Sequence, residues 1–436
     1  MLKKVLTNTL FQVLGKAVTA ATTLLLTIII GRSLGPAGYG EFTKIFVFVG
    51  YFYTIYDFGL NNIFVKVTSG KTVGKFLERS SSAESTQNYL FRVLVGLRIV
   101  ISFLLTTAAI VIAFALPYDQ NLGTGFSPIV KIGIVLASIT ILTQALTTSA
   151  NAIFQKKLRY DLSVLAAALG SIVVVAATVL VFTLKGGLFG YISAYIIGGT
   201  VSAMAAFVII AKKLKVPPLP IFNQKQAKKL IVSSWPIGLA LVLNLVYFRI
   251  DVLILSYNRA SSEVGFYGLS YQFFEAFLTV PLFISNALYP LLARLYTSDE
   301  KKFVKEAKFY FALMIVASVV LATALYLVSL LIPAFYGAKF APAKASLQIL
   351  ALGLPFFFAS ALLWHILIIR EKQKLLPVIY GLGAVFNLIV NLILIPTYGY
   401  IGAASTTVIS EMLVVLLLIL ALAKDLKRPP LTIVTT

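Results

Sequence analysis

Of 436 residues, 59% are hydrophobic and 12% charged, and the mean hydropathy is +0.96, which excludes an ordinary soluble domain. A net charge of +22 would point to nucleic acid in a soluble protein, but here the basic residues alternate with apolar segments and form no single patch, so no nucleic-acid partner is expected. With no cysteine there is no disulfide, thiolate metal site or cysteine nucleophile, and one histidine, His365, argues against a histidine metal site.

Twelve apolar stretches, each about long enough to cross a bilayer, predict an all-α integral membrane protein. The first, 8–31, follows Met1-Leu2-Lys3-Lys4; it is longer than a signal h-region and lacks a small-x-small cleavage site, so it reads as a membrane span. It carries Lys16, about 12 Å from its start. The second span, 40–66, carries Lys44, three residues after Glu41 and so placed to pair with it, and Asp57, about 13 Å from its far end. Lys16 and Asp57 lie at matching depth, which suits a charge pair between neighbouring helices or a role toward substrate. The third span, 88–116, carries Arg98, near enough to one end to snorkel. Spans at 129–154, 160–184 and 188–212 complete a first half.

The basic, proline-rich stretch from Lys212 to Lys229 then reads as a linker, dividing the chain into 1–212, 213–229 and 230–436. The seventh span, 230–257, holds Arg249 and Asp251, two residues apart and therefore pointing away from each other. Glu275 in the eighth, 264–292, is near midplane and within reach of Arg249 across the hairpin. Spans 304–332, 344–369, 375–395 and 401–424 follow. His365, beside Trp364, marks the interface at one end of the tenth; Glu411, midway along the twelfth, has no obvious partner. Pro236, Pro281, Pro290 and Pro355 predict kinks.

The loops on one side carry most of the basic residues, while those on the other hold only Arg32, Lys131, Lys185, Arg259, Lys339 and Lys344. The positive-inside rule then predicts both termini in the cytoplasm. Gly187, Gly190 and Ser193 match Gly399, Gly402 and Ser405 in spacing, as Tyr39-Gly40 matches Tyr267-Gly268. Duplicated helical halves belong to transporters, in which one half rocks against the other. Ionisable groups in hydrocarbon are costly and mark function or pairing; here they are Lys16, Lys44, Asp57, Arg98, Arg249, Asp251, Glu275 and Glu411.

Several segments carry a family likeness. Asn8-Thr9-Leu10-Phe11 and the turn Leu34-Gly35-Pro36-Ala37-Gly38-Tyr39-Gly40 resemble the first hairpin of the Wzx-like oligosaccharide flippases of the MOP superfamily. So do Arg249-Ile250-Asp251, Glu263-Val264-Gly265-Phe266-Tyr267, and Asn387 to Asn391 followed by 395–404. The resemblance spans the whole chain. It implies two six-helix lobes around a central cavity, as in MATE-type exporters, and movement of a lipid-linked oligosaccharide across the cytoplasmic membrane; some members have fourteen helices, against twelve here. An anionic polyprenyl-pyrophosphate head needs cations, for which Lys16, Lys44, Arg98 and Arg249 are the candidates. The resemblance also implies coupling to H⁺ or Na⁺, with Asp57, Asp251, Glu275 and Glu411 as candidate ion ligands, and no cofactor. Membrane lipids and other glycan-assembly membrane proteins are the expected partners.

Three other readings compete. A membrane glycosyltransferase or polymerase needs catalytic acids or histidines on a sizeable loop, and the longest, 67–87, has only Glu78 and Glu84 as acids. A drug or cation exporter favours an acidic chamber, whereas four bases lie within the spans. A lipid II-type flippase shares the anionic cargo. No Gly-x-x-x-x-Gly-Lys-Ser/Thr occurs, which argues against ATP hydrolysis. The chain therefore reads as a secondary transporter and not an enzyme.

Overall fold

The computed structural model describes residues 2–69 and 83–426, with side chains for 15, 18–69 and 86–423. In chain order the helices are α1 (Leu2–Asp57), α2 (Leu60–Ser69), α3 (Ala83–Ala115), α4 (Pro128–Ala137), α5 (Ile139–Lys156), α6 (Tyr160–Thr183), α7 (Gly187–Lys213), α8 (Gln224–Asn258), α9 (Ser261–Ser298), α10 (Glu300–Leu330), α11 (Ile332–Tyr336), α12 (Ala343–Ile369) and α13 (Leu376–Leu426). Apolar composition explains the near absence of anything else: in hydrocarbon, backbone groups have no water to bond and must satisfy one another within the helix.

Ten stretches of described helix are long and apolar enough to cross a membrane. Two of them are double. The 56 residues of α1 would measure about 84 Å and the 51 of α13 about 76 Å if straight, against a hydrocarbon core of ~30 Å. Each is broken at a glycine with left-handed φ, Gly35 at 67° and Gly399 at 55°, where a side chain would be strained. Pro36 follows Gly35 at the first position of the resumed helix, where its missing N–H costs nothing.

Contacts show that both breaks are reversals. In α13, Asn387 bonds Ser410 at 3.2 Å across Gly399, and a Cβ on Gly402 would stand 2.6 Å from the Leu394 carbonyl oxygen. Along α1, Gly15 lies against Val164, Lys44 reaches the Gly125 carbonyl at 2.7 Å, and Tyr56 returns to Thr148 at 3.2 Å. Val164 and Thr148 flank the α5–α6 turn, so the chain leaves that end, turns at Gly35 and comes back. The twelve predicted spans are thus present, two pairs of them as continuous hairpins.

Two compact units emerge. One comprises Met1–Arg249 with Arg259–Gly265, the other Ile250–Asn258 with Phe266–Thr436. The boundary falls inside α8, whereas the sequence reading put it at 229/230. The first unit has a core of Phe64, Phe91, Leu94, Ile153, Phe154, Val216 and Leu230. Val216 belongs to the expected linker, which therefore packs as part of this unit.

Three local features refine the expected spans and the loops between them. The second span is interrupted after Asp57 by Phe58 (φ 39°) and Gly59 (φ 72°). A short antiparallel hairpin pairs Tyr118 with Gly125 and Asp119 with Thr124. Its turn is held by Asp119 Oδ1, which accepts from the N–H groups of Asn121 and Leu122 at 2.8 and 3.1 Å. Ser127 then caps α4 through Val130 N–H at 3.3 Å, with Pro128 opening the helix.

Candidate functional site

Of the predicted intramembrane charges, Asp57 and Arg98 share one polar cluster in the first unit, while Asp251 and Glu411 each sit among polar groups of the second. In the first, Asp57 ends α1 at the Phe58-Gly59 break and its Oδ1 accepts from Arg98 Nη2 at 2.6 Å. Arg98 Nη1 donates to Asn61 Oδ1 at 2.9 Å and to Ser149 Oγ at 3.3 Å. Asn61 in turn donates to the Thr148 carbonyl at 3.0 Å. The guanidinium therefore ties α1, α2, α3 and α5 together at the break.

This arrangement corrects one expectation and redirects another. Arg98 does not snorkel: its side chain is 0% exposed, while that of Asp57 is 30% exposed. Asp57 takes its charge partner from α3, and the side chain of Lys16, the partner expected from depth alone, lies outside the described residues. Arg98 is the stronger choice for a planar, multi-donor clamp, because its fixed fork can engage a carboxylate, an amide and a hydroxyl at once. Its Nε is buried with no hydrogen-bond partner.

Lys44 is also buried, at 1% exposure, and its ammonium donates to the Gly125 carbonyl at 2.7 Å. Glu41, the neighbour expected from spacing, supplies a charge attraction, and Glu41 Oε1 accepts from Ser127 Oγ at 3.5 Å. Lys44 thus fastens the 118–125 hairpin to α1.

In the second unit Asp251 is 2% exposed. Its Oδ1 accepts from Val252 N–H at 2.7 Å, and its Oδ2 accepts from the Tyr267 hydroxyl, itself 3.2 Å from Thr407 Oγ1. α8, α9 and α13 therefore meet at one buried carboxylate.

Glu411, expected to stand alone, does not. It is 2% exposed and within electrostatic reach of Tyr380, whose hydroxyl is hydrogen-bonded with Ser360. One residue away, Ser410 accepts from Asn387 Nδ2, and Asn391 Nδ2 donates to Asn387 Oδ1 at 2.9 Å. Asn391 Oδ1 is buried with no hydrogen-bond partner.

Arg249 and Glu275 are half-buried, each with interactions of its own. His365 bonds the Ala361 carbonyl at 2.7 Å through Nδ1 and Asn286 Oδ1 at 3.2 Å through Nε2, and its ring packs edge-on against Tyr289. Among the described residues no cluster of His, Cys, Asp and Glu suits a metal ion.

A search restricted to ionisable groups misses the neutral polar partners: Asn61, Ser149, Tyr267, Thr407, Asn387, Asn391, Ser360 and Tyr380. A signal for some of them was present. Asp57 with Asn61 and Asn387 with Asn391 are i, i+4 pairs, which put two polar groups on one face of a span.

Residues 5–296 match the family model described as "Polysaccharide biosynthesis protein", and residues 236–393 match the MatE model. The uncharacterized membrane protein MJ1068 of Methanocaldococcus jannaschii is 28% identical over 200 residues, 43% of this chain and 38% of that protein. The chain thus spans less than half of that relative's length. Among solved structures, the lipid II flippase MurJ in an inward closed conformation aligns with a TM-score of 0.71 at 18% identity, covering 95% of this chain and 87% of its own. An inward-facing MATE family multidrug resistance transporter of the MOP superfamily aligns at 0.74 and 12% identity, with 93% and 94% covered. These likenesses establish the expected all-helical, MATE-like fold. The match over 5–296 covers well over half of the chain and shows that the chain belongs to the polysaccharide biosynthesis protein family.

Proposed function

We propose that the chain moves a polyprenyl-(pyro)phosphate-linked oligosaccharide from the cytoplasmic to the outer leaflet of the cytoplasmic membrane, by alternating access coupled to H⁺ or Na⁺. The observation that carries this reading is the family match over residues 5–296, a family described by polysaccharide biosynthesis. The physical chemistry agrees with it: the lipid tail can stay in the bilayer, and only the anionic head needs a polar path with cations. Arg249, half-buried in a spanning helix and part of the Arg249-Ile250-Asp251 segment that carries the family likeness, is the preferred contact for the headgroup. Asp57, Asp251, Glu275 and Glu411 are the candidates for ion coupling, and of these Asp251 and Glu411 are buried at 2% exposure. Other glycan-assembly membrane proteins are the partners this role implies.

Proteoliposomes carrying a fluorescent polyprenyl-pyrophosphate oligosaccharide in one leaflet test the proposal. The protein should deliver it to the other leaflet, and Arg249→Ala should slow delivery about 10- to 100-fold, the worth of one lost charge-assisted hydrogen bond. Arg249→Lys should retain part of the rate, since charge survives and the fork does not. Full activity of the alanine variant removes Arg249 from the headgroup path. The MatE match over 236–393 favours a second reading, an exporter of drugs or cations; cation-specific export with no lipid movement would establish it instead.

The orientation proposed, with both termini cytoplasmic, rests on the loop charges. Lys225→Cys in this cysteine-free chain should resist an impermeant thiol reagent added to intact cells and react after lysis, while Lys339→Cys reacts from outside. The reverse pattern inverts the topology.

A further inference from the structure

The stretch 214–223 joins two membrane-spanning helices, α7 and α8, so both of its ends enter the bilayer on one face. It must lie where water meets headgroups. A solvated linker would need no fixed shape, yet this one is built in. Ile221 N–H donates to the Arg92 carbonyl at 3.0 Å and Arg92 Nε donates to the Leu219 carbonyl at 2.8 Å. Asn223 caps α8 through Gln226 N–H at 3.1 Å and donates to the Tyr89 hydroxyl at 3.1 Å. A Cβ on Gly96 would stand 2.3 Å from the Ile221 carbonyl oxygen, so α3 admits the strap only because it has glycine there. Lys215 holds a left-handed φ of 53°, a conformation that a lysine keeps only when its surroundings impose it.

This docking leaves a defined set of side chains outside. Lys212, Lys213, Lys215, Lys225 and Lys228 are exposed, as are Leu219 and Phe222 on the strap itself at 67% and 58% exposure, with Trp235 further along α8 at 55%. No acidic residue occurs between Asp161 and Asp251. Ammonium groups interleaved along the strap with exposed apolar side chains, where the chain passes between two spanning helices, complement a phosphate diester with acyl chains below it.

We propose that the docked strap 214–223, with the ends of α7 and α8 that flank it, is a binding surface for anionic phospholipid of the surrounding bilayer. The inference stands apart from the transport reading, since it concerns the lipid around the protein and no group proposed to handle cargo. Its occupant is set by charge and depth. Anionic lipid should stabilise the chain by bridging the strap to the helix ends, and salt should weaken the effect.

The test uses the full chain purified in a neutral detergent, with the melting midpoint followed as phosphatidylglycerol or phosphatidylcholine is titrated in. Phosphatidylglycerol should raise the midpoint clearly more than phosphatidylcholine, and high salt should remove the difference. Replacing Lys212, Lys213, Lys215, Lys225 and Lys228 by glutamine should abolish most of that difference, whereas Lys301→Gln with Lys302→Gln and Lys305→Gln, exposed lysines of the other unit, should preserve it. Equal responses to the two lipids, or an unchanged response in the five-lysine variant, overturns the proposal. So does loss of the response in both variants, which would mark a general charge effect. If the five-lysine variant cannot be purified, Lys225→Gln with Lys228→Gln carries the same expectation at reduced size, and native mass spectrometry counts the retained phosphatidylglycerol directly.

Discussion

Replacing Gly40 by alanine is expected to remove most of the folded protein from the membrane. Gly40 lies in the half of α1 that follows the Gly35 turn, and a Cβ there would stand 1.6 Å from the carbonyl oxygen of Ser261 and 3.0 Å from Gly265 N. The approach is mutual: a Cβ on Gly265 would stand 2.2 Å from the Pro36 carbonyl oxygen. Backbone meets backbone at this crossing, as small residues allow in membranes, and no flexible side chain can yield. Overpacking of a core typically costs about 1–3 kcal/mol, and a clash with main chain belongs at or above the top of that range. The alanine would regain only about 1 kcal/mol of helix propensity. Gly50, in the same helical segment with nothing within 4 Å of its would-be Cβ, is the matched control. Gly50→Ala should hold or slightly raise the melting midpoint while Gly40→Ala collapses it. Similar midpoints for the two variants would rule out the crossing.

This crossing also explains what two separately noticed motifs have in common. Leu34-Gly35-Pro36-Ala37-Gly38-Tyr39-Gly40 and Glu263-Val264-Gly265 lie more than two hundred residues apart, yet each supplies one glycine to the same contact. Within the motifs the glycines were visible; their apposition was not, because spacing along a chain does not say which helices become neighbours. The internal repeat was more fully legible. Gly187 and Gly399 both adopt left-handed φ, at 64° and 55°, and the glycine three residues on lies against the preceding helix each time, Gly190 on Val181 and Gly402 on Leu394. Spans were legible for a plain reason: an apolar run of about 20 residues has one viable backbone in lipid. Charge partners were not, since depth is one coordinate and pairing needs azimuth and neighbour order as well. Asp57 could be given a depth from sequence, but the helix that faces it is α3. The 118–125 hairpin escaped because two residues per strand make no periodic signal.

The Asp57–Arg98 pair should respond unequally to loss of either partner. Arg98 is wholly buried, so Asp57→Ala strands a guanidinium that is always charged and already has an unsatisfied Nε. Arg98→Ala strands a carboxylate that is 30% exposed and can recruit water or a proton. Breaking a buried pair costs about 3–5 kcal/mol; partial exposure of Asp57 places Arg98→Ala below that range and Asp57→Ala within it. The melting midpoint should therefore fall further for Asp57→Ala. Joint replacement by apolar residues, Asp57→Leu with Arg98→Met, should recover much of the loss, because no charge is then left buried. Arg98→Lys should recover little, since one ammonium cannot serve Asp57, Asn61 and Ser149 in the same geometry. A flipping assay normalised to folded protein separates structure from transport. If Arg98 acts only as a clamp at the Phe58-Gly59 break, the apolar double variant should flip lipid at a rate near that of the parent. A double variant that melts normally yet flips nothing would give the buried pair a direct part in transport, and a smaller loss for Asp57→Ala than for Arg98→Ala would contradict the burial asymmetry from which the prediction is drawn.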